Sequence, residues 1–422
     1  MLTEYPGLGE QLYRCRLENG LQVLVNPRPG FTKTLAYFAT AYGSVHREFR
    51  LDGQTHTVPA GIAHFLEHKL FELPDMDVTA RLAALGANVN AFTSYDMTAY
   101  YVLCAGHVYE SLELLLKFVS TPYFTEESVQ KELGIIDQEI GMHADSPDSR
   151  IFENLMQAMY GTFPIRQPIL GTKDSIRRIT PENLSLCHRA FYNPANMVLC
   201  VVGDVDPEKT SSLARQVLGT KYRTPGEKCR NWTEPHACFR SQIHDRMEIS
   251  MPTFLMGFKW GDLFPGREGI RLEVIGDLAA EALFGESSPL YLQLYNQGLI
   301  DGSFGGGFEV ADNQAMLVCG GDSDQPRAVF DAILAQAEQL TQTGISEEAF
   351  LRMKRSALGR RIRDLDSFDS TCFRLCAYAL SDFDYFAFPE IYTEVTREDV
   401  QQFLQQLTDR NRWSVSVIEP LP

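Results

Sequence analysis

The spacing of apolar residues divides the chain into two runs of strands and helices that follow a similar order. In the first run, residues 10–17 and 21–26 read as strands joined at Asn19-Gly20, a strong hairpin signal. A third strand covers residues 33–41. A short helix is framed by Pro59 and Gly61 at its start and Pro74 at its end. Within it Ile62, Phe65, Leu66, Leu70 and Leu73 recur at core-facing helical spacing, with His64, Glu67, His68 and Phe71 on the other side. Residues 88–93 and 98–103 read as a second strand pair, followed by helices near 108–119, 126–143, 151–159 and 181–191 and an apolar strand at 197–202. Residues 221–236 are polar, carry Pro225, Gly226 and Pro235, and show little periodicity, which marks a linker. Beyond it a comparable order recurs: strands near 253–259, 303–310, 315–320 and 413–418, with helices between them. The pattern predicts an α+β protein of two homologous domains, 1–225 and 226–422, related by duplication, each a sheet covered by helices.

A length of 422 residues exceeds what one hydrophobic core organises, which agrees with two domains. The net charge of -17 argues against a nucleic-acid partner, which needs a basic stripe. Nine cysteines are scattered without a C-x-x-C pair, as expected of free thiols in a reducing compartment. The opening Met1-Leu2-Thr3-Glu4-Tyr5-Pro6 has no basic head leading into an apolar run, and no segment has the apolar length of a membrane span. A cytoplasmic protein without a membrane partner is the expectation.

The chemistry concentrates at His64-Phe65-Leu66-Glu67-His68. Residues three and four apart meet on one helix face. His64 and His68 can therefore share one zinc ion, with Glu67 beside them to take a proton from water. This H-x-x-E-H order is the inverted form of the commoner zinc-peptidase helix. Burying two imidazoles and a carboxylate without a shared charge partner is costly, which weighs against a purely packed helix. Catalytic zinc usually takes three protein ligands. The helix near 126–143 offers the third, and spacing leaves Glu132, Asp137, Glu139 and His143 all open.

Taken with Asn88-Val89-Asn90-Ala91-Phe92-Thr93, Lys131-Glu132 through Glu139-Ile140, and Asn193-Pro194-Ala195-Asn196-Met197, the motif resembles the pitrilysin-like inverzincin metallopeptidases. That family includes insulysin and the mitochondrial processing peptidases. The His-Phe-Leu-Glu-His-Lys variant most resembles bacterial cytosolic members paired with an inactive sister protein. The resemblance implies zinc held by His64, His68 and Glu139, Glu67 as catalytic base, and Glu132 as the residue that orients a histidine ligand. It also implies that Asn90, Ala91 and Phe92 lie on an edge strand where a peptide substrate adds as an extra strand.

The resemblance has a gap. Setting Gly298-Leu299 against the family's Gly-Leu puts Leu294 and Asp301 where family members carry an Arg-Tyr pair that holds substrate and its developing oxyanion. The expected function is a zinc endopeptidase completed by a homologous partner chain that lacks the metal motif, or by a homodimer. The alternative is a non-catalytic subunit that keeps the peptidase fold for binding.

Overall fold

The computed structural model describes residues 1–422 and separates into two compact units. The first holds Met1–Ile140, Pro168–Asn231 and Ile362–Phe386; the second holds Gly141–Gln167, Trp232–Arg361 and Ala387–Pro422.

Strands in the first stretch of chain are β1 (Leu2–Tyr5), β2 (Glu10–Arg16), β3 (Gln22–Pro27), β4 (Thr34–Thr40), β5 (Glu48–Leu51), β6 (Gln54–Thr57), β7 (Glu72–Leu73), β8 (Met76–Asp77), β9 (Ala87–Thr93) and β10 (Thr98–Cys104). Helices there are α1 (Ile62–Lys69), α2 (Val78–Ala84), α3 (Val108–Ser120) and α4 (Glu126–Ala144). Next come α5 (Pro147–Met159), α6 (Lys173–Ile176), α7 (Pro181–Phe191), β11 (Met197–Gly203) and α8 (Pro207–Leu218). The first unit's main sheet runs β1-β2-β3-β11-β4-β10-β9, and its only parallel pair is β3 with β11. The alternation of apolar side chains explains the layering. Val23, Val25, Ala36, Phe38, Tyr100, Val102, Leu199 and Val201 face a core filled by α1, α3, α7 and α8.

Further along are β12 (Glu227–Lys228), β13 (Gln242–Met247), β14 (Thr253–Asp262), α9 (Arg267–Phe284), α10 (Pro289–Asn296), β15 (Gly305–Ala311), β16 (Gln314–Asp322), α11 (Pro326–Thr343), α12 (Glu347–Arg363), α13 (Phe368–Leu380) and β17 (Trp413–Pro420). The second sheet runs β13-β17-β14-β16-β15, again with one parallel pair, β13 with β17. Strand for strand it repeats β3-β11-β4-β10-β9, the pattern expected of a duplicated fold.

The units are not contiguous in sequence. The change near residue 231 falls inside the expected linker, but a division into 1–225 and 226–422 misassigns residues 141–167 and 362–386. The physical reason is the second face of each sheet. In the first unit that face is covered by α13: the Tyr37 hydroxyl bonds Asp369 at 2.5 Å and Cys372 Sγ meets the Leu35 carbonyl at 3.7 Å. In the second unit α5 covers β14 and β17. It lies so close that a Cβ on Gly257 would stand 2.5 Å from Met159 Sδ.

Within the second unit a buried ion pair pins the start of its long segment. Lys259 Nζ donates to Glu234 at 2.6 Å, and the two side chains are 1% and 5% exposed. Glu234 also accepts from the backbone N–H groups of Gly161, Thr162 and Phe163. Burial pushes this carboxyl up, but the Lys259 and backbone hydrogen bonds outweigh it and hold its pKa at about 2, against an ordinary 4.5. A depressed folded-state pKa contributes stability that is fully present above the unfolded value and is lost as pH falls through the folded one. Glu234→Gln should therefore cost roughly 2–3 kcal/mol at neutral pH. Denaturant titrations between pH 7 and 2 should show the gap between wild type and variant closing below about pH 4.5; a gap constant with pH would rule out this origin.

Candidate metal centre

Helix α1 is short and positioned by its entry. Gly61 sits at φ 88°, a left-handed conformation that favours glycine, and a Cβ there would meet the Leu170 carbonyl at 2.4 Å. Ile62, Phe65 and Leu66 enter the core. Phe71, expected on the polar side, instead packs its ring against Tyr100 and Phe118 at 5.9 and 5.2 Å, because the chain turns after Leu70. His64 and Glu67 are 7% and 8% exposed, and the rings of His64 and His68 lie 4.6 Å apart.

The helix α4 crosses this face. Its N-terminus is capped by Thr125, whose hydroxyl accepts from Ser128 N–H at 3.1 Å. Ile136 anchors it in the core. The four candidate third donors then separate. Glu139 places Oε1 3.6 Å from His64 Nε2 and Oε2 3.6 Å from His68 Nε2. Glu132 Oε1 lies 3.0 Å from His68 Nδ1. Asp137 binds Lys173 at 3.0 Å, and exposed His143 pairs with the Ser149 hydroxyl at 3.3 Å.

One donor atom each from His64, His68 and Glu139 falls within 4.8 Å of the others. Ligands of tetrahedral zinc, with bonds of about 2.1 Å, stand roughly 3.4 Å apart, so this nitrogen and oxygen set fits the ion. Burial opposes a charge on His68, but Glu132, Glu67 and Glu139 outweigh it and raise its pKa. Burial also raises Glu67, partly offset by a hydrogen bond from Thr93 and the charge of His68.

The strand β9 forms one edge of the sheet. Ala91 faces the core that holds α1. Asn90 and Phe92 point to the opposite face: Phe92 packs near Tyr37 and Phe373, and the Asn90 amide oxygen accepts from the Ala91 N–H at 2.8 Å. Sequence reasoning assigned no role to Thr93, whose hydroxyl donates to Glu67 Oε2 at 2.5 Å. Its shared parity with Ala91 is the signal that places it on the α1 face. In the second unit, Leu294 is fully buried, and Asp301 accepts from the backbone and hydroxyl of Ser303. The buried Leu294 cannot hold a substrate, and the exposed Asp301 presents a carboxylate rather than a hydrogen-bond donor.

Comparison with known proteins completes the picture. Along 99% of its length the chain is 38% identical to "Uncharacterized zinc protease YmfH" of Bacillus subtilis, covering 98% of that protein. It belongs to peptidase family M16. Residues 56–173 of this M16 chain match the family description "Insulinase (Peptidase family M16)", and residues 178–357 match "Peptidase M16 inactive domain". A putative M16-like peptidase from Alicyclobacillus acidocaldarius superposes with a TM-score of 0.94 at 36% identity, covering 99% of this chain and all of that one. A protease from Helicobacter pylori shares the fold at a TM-score of 0.82 and 19% identity, covering 97% of this chain and 100% of that one. No helix is long and apolar enough to cross a membrane.

Proposed function

We propose that this M16 chain is a zinc-dependent endopeptidase that hydrolyses peptides or unfolded segments bound as an extended strand, and that it works in the cytoplasm. The observation that carries this reading is the convergence of His64, His68 and Glu139 with a buried Glu67 beside them. Zinc, when bound there, would supply Lewis-acid polarisation of water and of the scissile carbonyl. The protein's own groups do the rest. Glu67 takes the proton of the attacking water and returns it to the leaving nitrogen. Thr93 fixes the rotation of the carboxylate, and Glu132 holds the His68 ring so that Nε2 points towards Glu139. The edge of β9 offers main-chain groups to an extended peptide, a mode that tolerates varied side chains. A non-catalytic subunit would have no use for a buried base beside three converging ligands.

Leu294 and Asp301 leave the second unit without the family's Arg-Tyr pair, so we further propose that a homologous partner chain lacking the metal motif supplies it, with a homodimer as the second choice. Missing oxyanion donors cost about 3–4 kcal/mol. The isolated chain should therefore bind zinc yet cleave roughly 10²–10³-fold more slowly than the assembly. Zinc analysis, light scattering and peptide digests, each with and without a homologue carrying that pair, test both proposals. No zinc-dependent cleavage in any combination would overturn the peptidase reading. Rapid cleavage by a monomer that no homologue stimulates would overturn the division of labour.

A further inference from the structure

Lys69 ends α1, directly after His68, and its side chain is 0% exposed. An ammonium withdrawn from water costs several kcal/mol unless it is well paired, so a lysine held there has a specific set of partners. Its Nζ donates to the Glu72 carboxylate on β7 and, at 3.4 Å, to the main-chain oxygen of Ser128. Ser128 lies in the first turn of α4, one turn before Glu132 and about three before Glu139. Two consecutive residues of α1 thus reach the same stretch of α4: His68 contacts Glu132, and Lys69 contacts Ser128.

We infer that Lys69 is a positioning residue for the metal centre, bracing α1 against the start of α4 so that Glu139 arrives opposite His64 and His68. The inference rests on the reading of those three side chains as zinc ligands. Glu139 follows His68 by 139 − 68 = 71 residues, and no covalent constraint fixes their separation. The brace fixes it by anchoring α4 near its start, while Ile136 in the core fixes its rotation. Glu72 makes the arrangement tolerable by neutralising the ammonium.

The brace predicts an effect opposite in sign to simple electrostatics. Lys69 is a cation close to a dication site, so removing its charge should tighten zinc if charge alone mattered. Removing the brace should loosen it.

The experiment is zinc affinity of the full chain, stripped of metal and titrated against a competing chelator, with thermal unfolding of the metal-free protein measured alongside. Lys69→Met keeps the length and apolar packing of the side chain and should weaken zinc on the order of 10–100-fold, the range seen when a residue supporting a ligand is lost. Glu72→Gln keeps the contact with Ser128 and should weaken it less than Lys69→Met does. Unchanged or tighter zinc binding by a folded Lys69→Met protein overturns the brace, even if its melting temperature falls, because Lys69 would then serve stability alone. If Lys69→Met does not fold, the double variant Lys69→Met with Glu72→Gln decides, because it removes the brace without changing the net charge or leaving a carboxylate unpaired: weaker zinc in the folded protein supports the brace, and wild-type affinity overturns it. A wild-type chain that binds no zinc overturns the metal reading and the brace together.

Discussion

A Glu67→Gln protein is expected to keep its zinc and lose hydrolysis by at least about 10²–10⁴-fold, the usual cost of removing a general base. The substitution is nearly isosteric. An amide oxygen can still accept from the Thr93 hydroxyl, so the buried side chain keeps its partner and α1 keeps its place. His64, His68 and Glu139 are untouched, so metal content is unaffected. Only the capacity to take a proton from water and carry it to the leaving nitrogen disappears. Metal analysis together with peptide cleavage measures both halves of the claim. Wild-type cleavage by the variant would remove Glu67 from the mechanism.

Zinc content should fall sharply in Glu139→Gln, while Glu132→Gln should retain zinc with affinity or rate reduced on the order of 10–100-fold. The two carboxylates sit seven residues apart on one helix, yet they meet different atoms. Glu139 faces the Nε2 atoms of both histidines at 3.6 Å, where an ion would sit between them. Glu132 faces Nδ1 of His68, on the far side of the ring. A ligand contributes directly to holding the ion, whereas an orienting group contributes only through the ring it holds. Metal analysis after dialysis against a weak chelator separates the cases. The reverse outcome, with zinc lost from Glu132→Gln and kept by Glu139→Gln, would exchange their roles.

Much of this arrangement was legible in the sequence because it is local. The positions of His64, Glu67 and His68 follow from helical periodicity, and strands β2, β3, β9 and β10 from alternation and turn residues. Which donor meets the two histidines was not legible from spacing, since Glu132, Asp137, Glu139 and His143 share one helix and their partners lie elsewhere in the chain. Asp137 is drawn off by Lys173, and nothing near residue 137 announces that. The strand β13 was missed because its polar run Gln242–Met247 is a sheet edge with little apolar alternation. The hairpin of β5 and β6 was missed because β5 alternates over only four residues and the polar β6 is largely exposed. The exchange of α5 and α13 was invisible because an amphipathic helix carries no mark of which sheet it will cover.

That exchange bears on how the protein is made. The sheet that carries the proposed metal centre needs residues 362–386 for its second face, so it stays unfinished on the ribosome until those residues have been synthesised. A product truncated after the linker would hold the full H-x-x-E-H motif and both α4 glutamates, yet leave Tyr37 and Cys200 without the helix that covers them. Such a fragment would be a poor peptidase and a good substrate for quality control. The order of segments along the chain thus delays assembly of the proposed site until a helix about 220 residues after its last candidate ligand has been made.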